Sequence, residues 1–521
     1  MTKVDYSLYL VTDSTPAILG DRDLVEVVEA ALEGGVTLVQ YRDKVSDTGL
    51  LVSTARKLHA ITRKYNVPLL INDRVDVALA VGCEGVHIGQ DDLDLSAARK
   101  LLGKDAIIGV TVSSIEEAVA ACNDGADYLG VGTMFATGTK TNTKDIIGTA
   151  GTKEILSAIA EVGKDVRTVS IGGINASTLQ RVLYQSSAPS KSLDGVAVVS
   201  AIVAATDPKK AAAELLDLVK TPPPFAAASL ANTAKSSSTL ELIQQVPSVI
   251  KEVGSKTPLS HNMTNLVVQN FAANIALAVG GSPIMANYGE EAADLSKLGG
   301  ALVINMGTVT PEGLLNYCKA LKAYNLQGGP VVFDPVGGGA TAVRKAAVKT
   351  LLAAGYFDVI KGNEGEIKTV FGTVVQQRGV DSGASTSTAL EKATLVRDLA
   401  VRERNVVVMT GAVDYISDGE RTFAVSNGHE LLGRITGSGC VLGTIISVML
   451  AVWKGDKLLA ALAGLLHYEI AAEVASKRDD VKGPGTFVPA LIDELYNLQK
   501  RTSEGDVKWL ESAKVEAVKF S

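Results

Sequence analysis

Cysteine is scarce in this sequence. The chain has 521 residues and only four cysteines, which are Cys83, Cys122, Cys318 and Cys440. None of them belongs to a CxxC pair or to a cysteine–histidine spacing typical of a metal site. The simplest interpretation is a protein that resides in a reducing compartment.

Long runs of one kind of side chain are also missing. No extended lysine–arginine run occurs and the net charge is −7, so we expect no nucleic acid partner, although local cationic pockets for phosphate are compatible with this charge. The longest apolar stretch, residues 441–453, is shorter than the roughly 20 residues that a membrane span needs. The apolar run near the N-terminus is too short for a signal peptide. We therefore expect a soluble, cytoplasmic protein with no membrane partner.

The length and apolar content of the chain predict two or more domains. Hydrophobic residues make up 46% of the chain and the mean hydropathy is +0.21, values typical of well-buried α/β domains. Residues 219–240 interrupt the pattern with three successive prolines and an Ala/Ser/Thr-rich stretch without helix or strand periodicity. We predict a first domain over residues 1–218, a linker over 219–240 and a second domain over 241–521.

Eight short apolar runs alternate with amphipathic helical segments in the first domain. The runs are SLYLVTD, TLVQYR, PLLIND, GVHIGQ, IIGVTVS, YLGVGTMF, TVSIGG and GVAVVS. Such alternation predicts parallel strands joined by right-handed crossovers. Eight units within roughly 215 residues predict a closed (β/α)₈ TIM barrel, and a doubly wound open sheet is the alternative.

Polar residues follow these runs, at the end of the predicted barrel where ligands bind. Asp73 and Asp92 follow neighbouring strands and can share a divalent cation such as Mg²⁺. Gly172–Gly173 and the turn after the last run can offer backbone N–H groups to a phosphate. Three side chains can supply positive charge to phosphate oxygens, namely Arg42, Lys44 and Lys140. Together these groups indicate a site for a diphosphate.

The motifs QYRDK, IND, HIGQDDL, GTMFATGTK, SIGGIN and VAVVSAI resemble those of thiamine phosphate synthases, over nearly all of residues 5–217. The resemblance implies that a hydroxymethylpyrimidine diphosphate loses pyrophosphate and that the nitrogen of a thiazole phosphate captures the cation. It implies Mg²⁺ ligands at Asp73 and Asp92. It implies pyrimidine diphosphate contacts at Gln40, Arg42, Lys44, Asn72, Thr111 and Lys140. It implies thiazole phosphate contacts at Thr137, Thr139, Gly173, Val199 and Ser200.

The second domain also alternates strands and helices. Its candidate strands are SPIMA, ALVINMG, PVVFDPVG, DVIKGN and NVVVMTG, followed by the two-stranded excursion DYISDG and RTFAVSNG. This order predicts an open, mostly parallel sheet with helices on both faces. Near its end, ITGSGC leads into an apolar helix whose first N–H groups can bind an anion. Cys440 is then either a buried apolar filler or, with a lowered pKa, a base for a hydroxyl group.

The stretches SHNMTN, INMGT, FDPVGGGAT, KGNEGEI, VVMTG and ITGSGC resemble those of hydroxyethylthiazole kinases of the ribokinase-like superfamily, over about residues 243–500. The resemblance implies a three-layer α/β domain that phosphorylates a thiazole alcohol with ATP. It implies that Cys440 is catalytic and that Met285 and Gly437 contact the thiazole. It implies ATP contacts at Lys361, Asn363 and Thr410, and a metal ligand at Glu366.

The product of the predicted kinase is a substrate of the predicted synthase. The two halves together resemble bifunctional thiamine biosynthesis enzymes of the fungal type, with small-molecule substrates as partners. The kinase family implies a homo-oligomer, either a trimer or a multiple of three. Two alternatives remain open from the residues: a kinase for another small alcohol, such as a hydroxymethylpyrimidine, fused to a barrel, and a non-catalytic sensor of thiamine precursors.

Overall fold

The chain forms two compact units in the computed structural model, Met1–Pro223 and Pro224–Ser521. The structure describes residues 4–136, 146–232, 235–236, 238–373 and 386–520. The boundary between the units falls inside residues 219–240, the stretch predicted to be a linker. That stretch contains the end of one helix and the whole of a short one, so part of it has regular structure.

The first unit is a closed barrel of eight parallel strands in sequential order, in which β1 pairs with both β2 and β8. The strands are β1 (Leu8–Val11), β2 (Leu38–Tyr41), β3 (Leu69–Asn72), β4 (Gly85–Ile88), β5 (Ile107–Val112), β6 (Tyr128–Val131), β7 (Arg167–Ile171) and β8 (Gly195–Val198). The predicted TIM barrel is confirmed, and the open-sheet alternative is wrong. Because all eight strands are parallel, their carboxyl ends meet at one mouth of the barrel.

Helices follow the strands and cover the outside of the barrel. They are α1 (Leu24–Glu33), α2 (Thr48–Lys64), α3 (Val75–Val81), α4 (Leu95–Leu102), α5 (Ile115–Asp124), α6 (Gly148–Val162), α7 (Leu179–Gln185), α8 (Ser200–Val203) and α9 (Pro208–Lys220). Local signals start several of them. Asp23, for example, accepts the N–H groups of Val25 and Glu26 and so caps α1.

A second, smaller core fills the barrel interior. Its buried members are Tyr6, Tyr9, Val11, Leu38, Leu70, Tyr128, Val169 and Ala197. The absence of a side chain at Gly109 makes room for Tyr128, because a Cβ atom there would lie 2.0 Å from the Cζ atom of the tyrosine ring. The interior therefore carries aromatic hydroxyl groups to the floor of the barrel mouth.

The second unit is built on a nine-stranded sheet of order β10-β9-β11-β12-β13-β14-β15-β16-β17. Its strands are β9 (Leu259–Met263), β10 (Ser282–Ile284), β11 (Ala301–Asn305), β12 (Val331–Asp334), β13 (Val359–Asn363), β14 (Val406–Thr410), β15 (Asp414–Ser417), β16 (Thr422–Val425) and β17 (Val515–Ala517). The strands from β10 to β14 are parallel, and the last three pair antiparallel.

Helices cover both faces of this sheet, which confirms the predicted three-layer α/β architecture. The helices are α10 (Ala227–Ala231), α11 (Thr239–Lys256), α12 (Gln269–Ala278), α13 (Ala292–Lys297), α14 (Pro311–Gln327), α15 (Ala342–Ala354), α16 (Glu364–Phe371), α17 (Ala389–Glu403), α18 (Ser438–Val452), α19 (Lys457–Ser476) and α20 (Pro484–Glu504). Short 3₁₀ helices span Gly289–Glu291, Met306–Thr308, Glu430–Arg434 and Lys508–Ser512. One core contains α11, α12, α18, α19 and α20, and the other contains α13 to α17.

Strands β9 and β17 are absent from the sequence prediction. Strand β9 is polar, since it contains Ser260, His261 and Asn262, yet all three residues are fully buried. Their polar atoms are paired with distant side chains: the hydroxyl oxygens of Ser260 and Ser447 lie 2.7 Å apart, and Thr444 donates to Asn262 at 2.8 Å. A polar strand of this kind has no alternating pattern, so periodicity alone misses it.

Helix α19 is long and apolar enough to cross a membrane by length and composition, although the sequence analysis singled out only the shorter stretch before it. Its most apolar window is 89% buried within the protein. Burial of this kind is typical of the central helix of a folded core. It is the one helix of that length and apolarity among the described residues.

Candidate active sites

A cavity of about 620 Å³ opens at the carboxyl ends of the barrel strands. Every predicted synthase residue that the structure describes lines it, namely Gln40, Arg42, Lys44, Asn72, Asp73, Asp92, Thr111, Gly173, Val199 and Ser200. The other three predicted residues, Thr137, Thr139 and Lys140, lie outside the described part of the chain. The topology thus brings side chains from six strand ends to one pocket.

Two carboxylates and one lysine meet at the mouth of this cavity. The Nζ atom of Lys44 lies 3.0 Å from Oδ2 of Asp73, and Asp92 accepts the N–H of Gly89 at 2.8 Å. Burial, and then contact with Asp73, raises the pKa of Asp92. This mutual repulsion favours a divalent cation between the two side chains. The described residues contain no group of three or more metal-binding side chains, so the other ligands would be water or substrate oxygens.

Arg42 is held by the end of β1. Its backbone N–H donates to Thr12 Oγ1 at 2.9 Å, and its guanidinium Nη1 lies 3.7 Å from Oδ2 of buried Asp13. Asp13 also accepts the N–H and the hydroxyl of Thr15 at 2.9 and 2.6 Å. The aspartate therefore fixes the direction of Arg42. The sequence analysis did not select Asp13, although it ends the apolar run SLYLVTD.

A chain of hydrogen bonds crosses the barrel interior beneath the cavity. Gln40 Nε2 donates to the Tyr9 hydroxyl at 2.6 Å, whose oxygen lies 2.7 Å from that of Tyr128. The Tyr128 hydroxyl lies 2.7 Å from Nδ1 of His87, and Nε2 of His87 lies 2.8 Å from Thr111 Oγ1. Every member can donate to the next if His87 is neutral with its proton on Nε2. The chain joins two predicted pyrimidine contacts, Gln40 and Thr111, through residues that the sequence analysis did not select.

The opposite side of the cavity consists of backbone. Gly172 and Gly173 have φ values of 109° and 66°, which favour glycine. Val199 and Ser200 form the start of α8. Arg22 binds the far end of this short helix, since its guanidinium donates to the carbonyl of Ala205 at 2.6 Å and to that of Val203. These hydrogen bonds hold the C-terminal end of α8 and so help to fix the turn that contains Ser200.

In the second unit, Gly437 begins helix α18 in the left-handed conformation, with φ of 84°. A Cβ atom at this position would lie 2.3 Å from Cγ1 of Val268. The side chain of Cys440 lies one turn further on. The first N–H groups of the helix have no partner within it, which suits binding of an anion. The structure thus agrees with the helix start predicted from ITGSGC.

A connected set of buried polar groups lies behind this turn. Lys361 Nζ donates to Gly439 O at 2.7 Å and lies 3.1 Å from Asp334 Oδ2. Asn305 Nδ2 donates to the same aspartate oxygen at 2.9 Å, and Asn265 Nδ2 donates to Asn305 Oδ1 at 2.9 Å. The other aspartate oxygen, Oδ1, is buried and has no hydrogen-bond partner among the described residues. A cation near Oδ1 would supply the missing partner.

The Cys440 thiol is not activated in this structure. Asn265 Nδ2 donates to its sulfur at 3.5 Å. Burial, and then the charge of Asp334, raises the pKa of the thiol to about 11. A catalytic base at this position was predicted to need a lowered thiol pKa, whereas the pKa of Cys440 is raised. Near neutral pH the thiol keeps its proton.

Asn363 and Glu366 bind each other at the start of α16. The Asn363 side chain accepts the N–H of Glu366 at 3.0 Å, and Glu366 accepts the N–H of Asn363 at 2.8 Å. Glu366 also accepts the N–H of Gly337 at 2.9 Å. Burial, and then Asp334, raises the pKa of Glu366 to about 7. The two predicted ligand residues therefore also form the cap of this helix.

The remaining predicted kinase residues lie at two other strand ends. Thr410 ends β14 and pairs in register with Asn363 on β13. Met285 follows β10 and packs, partly buried, against the same core as Phe271. A Cβ atom at Gly437 would lie 3.9 Å from Cδ1 of Phe271.

Comparisons with known proteins agree with the two sites. The thiamine monophosphate synthase family matches residues 8–202, and the hydroxyethylthiazole kinase family matches residues 250–501. A probable thiamine biosynthetic bifunctional enzyme of Schizosaccharomyces pombe is 46% identical over 520 residues, 99% of both chains. The chain belongs to this family of bifunctional thiamine biosynthesis enzymes.

Two further relatives support this assignment, one over nearly the whole chain and one over about half of it. A thiamine biosynthetic bifunctional enzyme of Saccharomyces cerevisiae is 40% identical and covers 95% of this chain and 96% of its own. A hydroxyethylthiazole kinase of Moorella thermoacetica is 43% identical over 49% of this chain and 93% of its own. The barrel is therefore the synthase domain and the second unit the kinase domain. A different alcohol kinase and a non-catalytic sensor find no support in these relatives.

Proposed function

We propose that the kinase domain transfers the γ-phosphoryl group of ATP to 4-methyl-5-(2-hydroxyethyl)thiazole. The synthase domain then joins the thiazole phosphate to hydroxymethylpyrimidine diphosphate and releases pyrophosphate, with thiamine phosphate as product. The observation that carries this proposal is the presence of two candidate phosphate sites on one chain, a cavity at the barrel mouth and the helix start of α18. The product of one reaction is the substrate of the other.

In the synthase domain, the main task of the protein is to stabilise the charge of the leaving diphosphate. Arg42 and Lys44 lie where they can bind its oxygens, and Asp73 and Asp92 can hold Mg²⁺. When bound, Mg²⁺ neutralises the charge that develops on pyrophosphate as the C–O bond breaks. Lys140 has the same predicted role, from outside the described residues. Asn72 lines the cavity beside Asp73 and would contact the pyrimidine diphosphate.

The two organic substrates would occupy opposite sides of the barrel mouth. The hydrogen-bond chain fixes the amide of Gln40 so that Nε2 donates to Tyr9, which leaves Oε1 to accept a hydrogen bond from an amino group on the pyrimidine. Thr111 would contact the same substrate. The backbone at Gly173, Val199 and Ser200 can donate to the thiazole phosphate, together with Thr137 and Thr139. The thiazole nitrogen then faces the reacting carbon.

In the kinase domain, catalysis depends mainly on position and charge. The N–H groups at the start of α18 can bind the transferring phosphoryl group. Asp334 and Glu366 can hold Mg²⁺, and the unpartnered Oδ1 of Asp334 supports this role. When bound there, the ion would offset the negative charge of the phosphate oxygens. Lys361, Asn363 and Thr410 lie at neighbouring strand ends on the proposed ATP side.

Cys440 then acts as a protonated thiol that shapes the pocket around the thiazole hydroxyl. Its raised pKa and its hydrogen bond from Asn265 support this assignment over that of a free thiolate base. Met285 and Gly437 would contact the thiazole ring. The small side chain of Cys440 leaves room for the substrate beside the helix start.

We also propose that the protein forms a trimer or a multiple of three. Leu266 and Val267 are exposed, and they follow Asn265, which contacts Cys440. An apolar surface this close to a candidate site suits contact with another subunit. A cytoplasmic location is supported by the four cysteines, none of which forms a disulfide. Sedimentation equilibrium of the full chain tests the oligomeric state.

One assay tests the complete function. The full chain is incubated with the thiazole alcohol, ATP, hydroxymethylpyrimidine diphosphate and Mg²⁺, and thiamine phosphate is measured. Product should form only when all four are present. If thiazole phosphate replaces the alcohol and ATP, coupling should continue, which isolates the synthase domain. Phosphorylation of a hydroxymethylpyrimidine in preference to the thiazole would contradict the proposed kinase substrate.

A further inference from the structure

Helix α19 carries two consecutive side chains that bind two different loops of the kinase domain. The Tyr468 hydroxyl donates to the carbonyl oxygen of Ser438, in the first turn of α18, at 3.0 Å. Glu469 contacts Asp414, the first residue of β15. Consecutive helix residues point about 100° apart, so a single helix can bind both loops. One loop is the proposed anion-binding turn, and the other follows Thr410.

Asp414 fastens the turn between β14 and β15. Its Oδ1 atom accepts the N–H of Gly411 at 2.7 Å. Gly411 directly follows Thr410, the predicted ATP contact at the end of β14. The position of the Asp414 carboxyl group therefore sets the path of the chain just after the proposed nucleotide contact.

Two carboxyl groups meet here in a buried place. Asp414 is 3% exposed and Glu469 is 6% exposed. Oε2 of Glu469 is buried and finds no N–H or O–H partner among the described residues. Two buried carboxylates in contact repel each other unless one of them holds a proton. A proton between them removes the repulsion.

The carboxyl groups of Asp414 and Glu469 have no cationic partner among the described residues. Burial, and then Asp414, raises the pKa of Glu469, and burial raises the pKa of Asp414. Glu473, one turn further on α19, pairs with Lys514 at 2.9 Å and accepts from Asn427 at 3.0 Å. Within the described residues, neither Asp414 nor Glu469 forms an ion pair. The charged and titratable groups acting on the pair are Lys361, Lys514, Glu473 and Tyr468.

We propose that Asp414 and Glu469 share one proton and thereby position the ATP side of the kinase site on helix α19. The proposal rests on the proposed kinase function. Both are positioning residues, since they act on the nucleotide through the turn that follows Thr410. Loss of the proton at high pH leaves two facing carboxylates, which separate and displace Gly411 and Thr410. ATP binding weakens as a result, while the thiazole side keeps its geometry.

The test compares the full chain with Glu469→Gln. The amide of the variant can donate to Asp414 at any pH, so the contact no longer needs a proton. We expect the wild-type KM for ATP to rise at least about threefold between about pH 6.5 and about pH 9. In E469Q this KM should stay constant, and the KM for the thiazole should stay constant in both proteins. Asp414→Asn should give the same flat profile, because its amide can donate to Glu469.

Thermal unfolding gives a second readout that does not need kinase activity. A carboxyl group whose pKa is raised by folding stabilises the folded protein at low pH. This contribution to stability is lost as the pH rises from the ordinary pKa of 4.5 towards the raised pKa. The unfolding midpoint of the wild type should therefore fall with pH relative to that of E469Q. Glu473→Gln is the matched control: it removes a neighbouring buried carboxylate that raises the pKa of Glu469 but leaves the shared proton, so the midpoint should still fall with pH relative to that of E469Q.

The outcomes separate this proposal from the proposed function. If E469Q keeps the wild-type pH dependence in both readouts, the shared proton is refuted. If the wild-type chain phosphorylates no thiazole at all, the proposed kinase substrate fails, and the thermal comparison still decides the shared proton. Synthase activity of the same samples is an internal control and should not respond to the substitution.

Discussion

Among the described residues, each candidate site contains a lysine–aspartate ion pair, and the two pairs have almost the same length. Lys44 Nζ lies 3.0 Å from Asp73 Oδ2 in the barrel, and Lys361 Nζ lies 3.1 Å from Asp334 Oδ2 in the kinase domain. Their exposure differs. The side chains are 54% and 22% exposed in the first pair, but 3% and 0% exposed in the second. Water can replace either partner at the barrel mouth and cannot do so behind the kinase turn.

Because their exposure differs, the two ion pairs have different roles. An exposed ion pair contributes about 0–1 kcal/mol, so Lys44 can leave Asp73 when a diphosphate and a cation arrive. A buried pair cannot lose one partner without leaving an uncompensated charge. Lys361 also donates to Gly439, so it holds the helix start as well as neutralising Asp334. Direct contact of Lys361 with ATP stays a prediction. In the structure, the ammonium group of Lys361 already contacts Gly439 and Asp334.

The largest expected effect comes from the carboxylates at the barrel mouth. Asp92→Asn should lower kcat/KM for coupling by about 10²-fold or more, because one of two candidate Mg²⁺ ligands is lost where pyrophosphate charge develops. Thiazole phosphorylation by the same sample should be unchanged. Coupling at the wild-type rate across a Mg²⁺ titration would contradict the metal role of Asp92.

Removal of each lysine tests the comparison of the two ion pairs directly. Lys361→Met should lower the free energy of unfolding by about 3–5 kcal/mol, because it strands the buried Asp334. Lys44→Met should lower it by less than about 1 kcal/mol. Urea unfolding of both variants measures the difference. The double variant K361M/D334N should recover part of the loss, and equal losses for the two single variants would break the comparison.

Substitution of the cysteine should have a smaller effect. Cys440→Ser should slow thiazole phosphorylation about tenfold, through changed packing and a changed hydrogen bond with Asn265. Because the thiol pKa is about 11, the kinase pH profile should be the same in wild type and variant between about pH 6 and about pH 9. Steady-state kinetics measure both. Undiminished phosphorylation in the variant would remove Cys440 from the site.

The smallest effect is expected from the hydrogen-bond chain under the barrel mouth. Tyr128→Phe breaks the chain between Tyr9 and His87 and should raise the KM for hydroxymethylpyrimidine diphosphate by about three- to tenfold. The kcat should change little, because the leaving group is bound elsewhere. Tyr65→Phe is the matched control, since Tyr65 packs against the outer core of the barrel at the C-terminal end of α2. A similar KM change in both variants would argue against a role for the chain.

Much of the fold could be predicted because its signals are local. Eight apolar runs separated by amphipathic helices indicate a barrel without knowledge of any contact between them. Once the strands are parallel, the residues after each run must meet at one mouth, and this places Arg42, Asp73 and Ser200 in one cavity. The glycines before Cys440 indicate a helix start in the same local way.

The remaining features depend on residues far apart in the chain. Strand β9 is polar, and only its pairing with Ser447 and Thr444 explains its burial. His87 and Tyr128 meet across the barrel, and no spacing in the sequence links them. The raised pKa of Cys440, in helix α18, likewise depends on its burial and on the charge of Asp334, which ends β12.

The sequence by itself determined the two architectures, their order and the polar groups that reach each strand end, because periodicity and strand polarity act over short distances. Only the tertiary structure decided which of these groups are buried, which partners they contact and which of them are exposed to water. Electrostatic energies depend on the local dielectric and on the nearest partner. Both are properties of the packed molecule, so Lys44 and Lys361 look alike in the sequence and behave differently in the fold.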